Sequence, residues 1–248
     1  MSLLASGKEK LKLLKNGAVF LKQAVIYLLL CTGTFLMLRI IARYFAFEDN
    51  RGFLAVKQDY INNTFWKAAF YIHVFSSIFT LIAGFTQFSG FILRKYRNVH
   101  RRMGKLYAYD ILLINFPAGM IIAFYANGHW PTRIAFIILD LLWFFFTYKG
   151  VRAVRMGDII SHRKFMIFSY ALTFSAVTLR TWKLILANAL NLPPLTLYMT
   201  DAWMGFVPNL LFAFWLTRKR KDSFLPYKPD TSSAPFRNTS NSYKCNSK

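Results

Sequence analysis

The 248-residue chain carries four histidines, and three of them stand where an imidazole can do chemistry. His100 opens the run His100-Arg101-Arg102-Met103, and His162 opens His162-Arg163-Lys164-Phe165. Each offers a neutral ring nitrogen to a metal. Two imidazoles brought to one level by two helices make the bis-histidine ligation of an electron-transfer haem b. Arg101, Arg102, Arg163 and Lys164 beside them are cations suited to haem propionates or to lipid phosphates. A second group stands in strongly apolar surroundings: His73, Asp110, Asp140, Arg180 and Asn209. Ionisable groups in such runs are costly and turn to a bundle interior, where they pair with one another, bind a ligand or relay protons.

Other chemistries lack their residues. There is no Cys/His spacing for zinc, no glycine-rich phosphate loop and no nucleophile elbow, so the chain offers no recognisable hydrolase or transferase site. No metal is indicated beyond a haem iron, and an enzymatic role is left open only as redox chemistry with haem bound. Cys31 lies in an apolar run and Cys245 near the end of the chain, so no disulfide framework is expected.

The elements that position these residues are apolar runs of roughly 17–25 residues, each long enough to cross about 30 Å of hydrocarbon. With 55% hydrophobic residues, 18% aromatic residues and a net charge of +22, the composition excludes a disordered chain. The spacing predicts an all-α integral membrane protein, a six-helix transmembrane bundle with spans near 23–45, 66–93, 104–127, 131–153, 163–188 and 201–217. Residues 1–22 form a basic cytoplasmic segment ahead of a retained signal-anchor helix, 23–217 the transmembrane domain, and 218–248 a basic disordered tail.

Of the 32 Lys and Arg residues, 24 fall at the two ends and in the segments 94–105 and 149–164. That alternation predicts six crossings with both ends cytoplasmic. The charge is thus explained by topology and by attraction to anionic lipid at the cytoplasmic face, and not by nucleic acid. Trp66, Trp130 and Trp203 begin inward-running helices and are expected at headgroup level. The multi-pass chain is expected in the plasma (inner) membrane of a bacterium-like cell, with no protein partner indicated.

Helical counting places the second group. At about 1.5 Å per residue, Asp140 lies roughly 14 Å deep, Arg180 and Asn209 roughly 12 Å and His73 roughly 10 Å. One reading is an Asp140–Arg180 ion pair, with His73 and Asn209 completing its hydrogen bonds; the other is a ligand or proton site. His73, Ser77, Thr80, Gly84 and Gln87 share one stripe, and His162, Ser169, Thr173 and Arg180 another. Pro117 removes a helical donor beside Asn115, which predicts a kink. The two His-Arg openings follow basic loops, an echo that suggests repeated helical hairpins.

Taken in order, His73 with Gly84 and Gln87, His100-Arg101-x-x-Gly104-Lys105, His162-Arg163-x-x-Met166, Tyr170-Ala171-Leu172-Thr173, Arg180 and Trp203…Pro208-Asn209-Leu210 form a pattern over roughly residues 60–215. It resembles the predicted-membrane-protein family catalogued as domain of unknown function 2306, which is distantly similar in layout to cytochrome b561-like membrane proteins. The resemblance implies a multi-helix membrane domain, and the b561-like layout implies haem. Neither carries over a catalytic residue. Three functions follow as expectations: a ligand-binding or transport protein using His73, Asp140, Arg180 and Asn209; a b-type haem electron carrier using His100 and His162; or a non-enzymatic membrane scaffold.

Overall fold

A computed structural model describes residues 2–190 and 192–219, without the side chains of residues 2–16, 18, 19, 22, 23 and 219. The tail expected beyond residue 219 and Cys245 lie outside the described residues. Within them the chain is all helix, with no strand. Helix α1 (Ser2–Ala42) leads through a loop with two single-turn 3-10 helices (Leu54–Val56, Gln58–Tyr60) to α2 (Thr64–Gln87). Then come α3 (Gly90–Lys95), α4 (Arg97–Tyr109), a wide π-helical turn (Asp110–Asn115) and α5 (Phe116–Phe124). Helices α6 (His129–Arg155), α7 (Ile159–Thr173), α8 (Ser175–Ala189), α9 (Pro194–Met204) and α10 (Val207–Lys219) complete the chain. Four stretches are long and apolar enough to cross a membrane: Ala24–Ala42, Thr64–Gln87, Arg97–Phe124 and His129–Arg155.

Local chemistry sets the ends. Asn63 caps α2 by accepting the Trp66 N–H at 3.1 Å, and Ser89 caps α3 through Ile92 N–H at 3.2 Å. That second cap splits the single span expected over 66–93. Gly157, at φ +79°, ends α6, and Asp158 at once caps α7 through Ser161 N–H at 2.9 Å. The same hydrogen bonds from the Ser161 side chain and backbone hold the Asp158 carboxyl below the usual carboxylate range. At the opposite turn Gly128 adopts φ +86°, where a side chain would overlap the Thr132 hydroxyl.

Next to Pro117, where a kink is expected, the helix carries a π-helical turn. The helix widens over Asp110–Asn115, and Phe116 N–H reaches back five residues to Ile111 O. The span expected over 163–188 is divided at Phe174 into α7 and α8. The sixth begins earlier than expected, at Pro194, and is divided at Gly205–Phe206, with Pro208 in the first turn of α10 where it costs no hydrogen bond.

Helix α4 packs on α2, and α7 packs on α6, so α4 and α7 stand at opposite corners of one four-helix unit. Its core holds Ala83, Tyr107, Ile111, Trp143, Tyr170 and Leu172. Helices α1 and α8 lie against each other beside this unit, and α9 joins α6 and α8. The basic segments 94–105 and 149–164 share one face with the starts of α4 and α7; the 43–63 loop covers the other, hereafter the loop face.

Trp66 departs from its expected place at the lipid interface. It is 0% exposed, packed with Tyr44, Leu54 and Phe70 under the 43–63 loop, whereas Trp130 is 68% exposed. Lys57 pins that loop down. Only 1% exposed, it donates to Tyr125 O and, at 2.6 Å, to Asn127 Oδ1, and lies 5.1 Å from the centre of the Tyr60 ring. Burial, reinforced by Arg133 and opposed by Asp59, lowers its pKa from 10.5 to about 8.

Candidate functional site

The two interfacial histidines stand on the basic face. His100, in the first turn of α4, turns Nδ1 to Thr86 O at the end of α2, 3.5 Å away. His162, in the first turn of α7, turns Nδ1 to Gly150 O in the last turns of α6, 2.8 Å away. Each ring thus hands the same nitrogen to the carbonyl edge of the preceding helix. A carbonyl only accepts, so Nδ1 carries a proton, and in a neutral ring Nε2 is the nitrogen with the lone pair. The rings lie close enough that a charge on one is felt at the other. Gln87 steadies the first of them, donating from Nε2 to His100 O at 3.0 Å. Arg101, Arg102, Arg163 and Lys164 stand exposed around the pair.

Imidazoles turned to carbonyls, with cations nearby, are donor types that haem iron takes. Both rings are half-buried, with one side open toward the basic surface. Inward of them the glycine faces are already occupied: Gly84 by Tyr170, Gly104 by Gln87 and Gly150 by Met166. Among the described residues, no three His, Cys, Asp or Glu side chains form a group able to hold a bare metal ion.

Inward of the histidines lies a hydroxyl network that the sequence reading did not single out. The Tyr107 hydroxyl lies 2.7 Å from Ser169 Oγ and 2.8 Å from Thr173 Oγ1. Thr147 reaches Ser169 Oγ at 2.7 Å, and Trp143 Nε1 donates to Thr173 Oγ1 at 3.0 Å. These bonds tie α4, α6 and α7 together. The polar stripe expected along residues 162–180 supplies Ser169 and Thr173, and then ends where α7 gives way to α8.

The group His73, Asp140, Arg180 and Asn209 is not gathered into one cluster. The expected Asp140–Arg180 ion pair does not form. Arg180 Nη1 donates 2.6 Å to Ala176 O, one turn back on its own helix, and its titratable neighbours are Tyr44, Asp201 and His73. Asp140 instead packs its carboxyl against Gly119 on α5. Asn209 acts as a structural tie, its amide nitrogen lying 3.1 Å from Ala171 O and 2.9 Å from Thr178 Oγ1. His73 lies against the Asn115 carbonyl within the four-helix unit.

Asp201, 2% exposed with an unpartnered Oδ1, is a buried acid that the sequence reading placed at a helix start. Its signal was Pro193-Pro194, which begins α9 seven residues earlier and carries Asp201 inward.

An all-helical chain with four stretches able to cross a bilayer, apolar side chains over much of its outer surface and polar groups turned inward is a membrane protein. It belongs to the family described as predicted membrane protein (DUF2306), whose model matches residues 70–217. That match holds α2 from Phe70 onward and all the helices after it, including the histidine pair and the hydroxyl network. No curated protein and no solved structure matches the chain.

Proposed function

We propose that this protein is a six-span electron carrier of the plasma membrane, with His100 and His162 as the axial ligands of a haem b. One observation carries the reading. Two imidazoles from opposite corners of a four-helix unit come within each other's field, each with Nδ1 on a carbonyl and Nε2 free. When bound, haem supplies one-electron exchange at its iron. The chain's own residues do the rest. Thr86 O and Gly150 O fix the tautomers and aim the rings, and Gln87 locks the start of α4 to the end of α2. Arg101, Arg102, Arg163 and Lys164 balance negative charge at the surface, whether carried by propionates or by anionic lipid.

Six crossings follow in this reading from two further, interrupted spans. Residues 159–189 and 194–219 each continue through their break with helical bonds, Phe174 N–H to Tyr170 O at 2.9 Å and Gly205 N–H to Asp201 O at 2.8 Å. At about 1.5 Å per residue either exceeds 30 Å. Added to the four apolar stretches, α1 among them, they make six, and the basic face becomes cytoplasmic by the positive-inside rule. Residues 1–22 and 218–248 then lie on that side, flanking the transmembrane domain at 23–217.

The test is a reduced-minus-oxidised visible spectrum of protein purified in detergent after expression with added haem precursor. A stoichiometric b-type band is expected, lost in His100→Ala and in His162→Ala and kept in His73→Ala. A flat spectrum from folded, haem-supplied protein overturns the reading.

One observation favours a second reading, a solute-binding or transport protein. Arg180 has no carboxylate within ion-pair distance among the described residues, and His73 beside it has an unpartnered Nδ1. A guanidinium held so takes a small carboxylate or phosphate. A thermal-shift screen with such anions would stabilise the wild type and not Arg180→Gln; equal shifts in both would reject it.

A further inference from the structure

The π-helical turn encloses an unusual set of polar atoms. Asn115, fully buried, donates from Nδ2 to Asp110 Oδ1 at 3.0 Å across the turn. The remaining atoms of that pair, Asp110 Oδ2 and Asn115 Oδ1, are buried with no protein partner. From α2, His73 lies against the Asn115 carbonyl, and its Nδ1 is buried and unpartnered. One turn beyond Asn115 on the same helix, Gly119 packs against Asp140 of α6, whose Oδ2 is also buried and unpartnered. Four orphan atoms therefore lie along this stripe of helix, and the three oxygens among them are acceptors. The nearest hydroxyl donor, on Tyr107, is already engaged with Ser169 and Thr173.

A buried stripe of acceptors without donors is unfavourable by about 1–3 kcal/mol per group unless something donates to it. The only donors small enough to enter between packed helices are protons and water. The π-helical turn next to Pro117 breaks the regular helical ladder beside these atoms, and such turns recur at functional sites. We propose that Asp110 is a proton-binding carboxyl within the membrane, connected by internal water to His73, Asn115 and Asp140.

On uptake a proton from bulk water adds to Asp110 Oδ2, and the carboxyl passes from anion to neutral acid. Its new O–H then donates along the stripe, and on release the proton returns to water. Tyr107, on its own helix, is the titratable group that acts on Asp110; farther along the stripe stand His73 on α2, with Arg180 behind it on α8, and Asp140 on α6. The site does not depend on iron at the His100–His162 pair.

Infrared spectroscopy on full-length protein in lipid nanodiscs tests this without haem. The wild-type minus Asp110→Asn difference should contain the carbonyl stretch of a protonated carboxylic acid at neutral pH. Transfer to heavy water should shift that band within minutes, because internal water carries the exchange. Asn115→Ala, which removes the bond to Asp110 Oδ1, should displace the band while retaining it, and serves if Asp110→Asn does not fold. The proposal is overturned if wild type lacks the band, if Asp110→Asn leaves it intact, if Asn115→Ala leaves it unmoved, or if it resists deuteration for hours.

Discussion

Lys57 offers a perturbation whose size follows from the structure. Its ammonium is buried against neutral acceptors, and its pKa falls from 10.5 to about 8. A folded-state value below the unfolded one means that the undocked loop binds more protons between pH 8 and 10.5. Docking of the 43–63 loop therefore strengthens as pH rises through that window. The full span is worth about 3 kcal/mol, and the part between pH 7 and 9 about 1.3 kcal/mol, close to a tenfold fall in the open population. Hydrogen exchange of amides 54–63, corrected for the intrinsic pH dependence of exchange, measures that population. Lys57→Met keeps the apolar stem, removes the charge and should flatten the dependence. Its stability at pH 7 is a poor test, because relief of the buried charge is offset by two acceptors left without donors. The slope decides. Equal pH dependence of opening in wild type and Lys57→Met would refute the reasoning.

Three packing predictions follow from the four-helix unit and its turns. Gly84→Ala places a methyl in the Tyr170 hydroxyl and should lower the melting temperature in detergent by an amount equivalent to about 1–3 kcal/mol; adding Tyr170→Phe should recover part of it, so that the two losses are sub-additive. Tyr107→Phe removes the hydroxyl shared by Ser169 and Thr173 and should cost about 1–3 kcal/mol on the same measurement. Gly128→Ala meets both a left-handed backbone and the Thr132 hydroxyl, and should sharply reduce the yield of monodisperse protein in size-exclusion chromatography.

Much of the fold is legible because apolar run length and turn chemistry are local. The helix containing Asp140 falls within two residues of its expected bounds at each end, and His73 and the two His-Arg motifs also lie on helices. The pairing of Asp140 with Arg180 is not legible in that way. Depth counted along a helix fixes height and says nothing of azimuth. The break at Phe174 turns α8 toward α1 and α9, so two residues at equal depth face different neighbours. Trp66 fails for a related reason: the interface rule treats a helix end as lipid-facing, and here a twenty-residue loop folds over it. Asp110 and Asn115 were each visible, but their partnership was not. In a regular helix residues five apart point some 140° from each other, and only the wide turn produced at Pro117 brings them onto one face.

The histidine pair has a structural logic that the His-Arg echo only hinted at. Helix α2 leads through a capped turn to His100 on α4, and α6 leads through a capped turn to His162 on α7. In both hairpins the imidazole reaches back twelve or fourteen residues to a carbonyl near the end of the earlier helix. A ring held only by its own helix would keep its rotamer freedom, at an ordering cost on binding anything. Anchored on a backbone carbonyl across a hairpin, each is oriented before a ligand arrives. Because the two hairpins belong to one four-helix unit, the same local construction, used twice, places a ring on the basic face from each of two helices. Each half offers only one nitrogen. The pair exists only when both hairpins are packed, so loss of either histidine should abolish ligation completely rather than halve it.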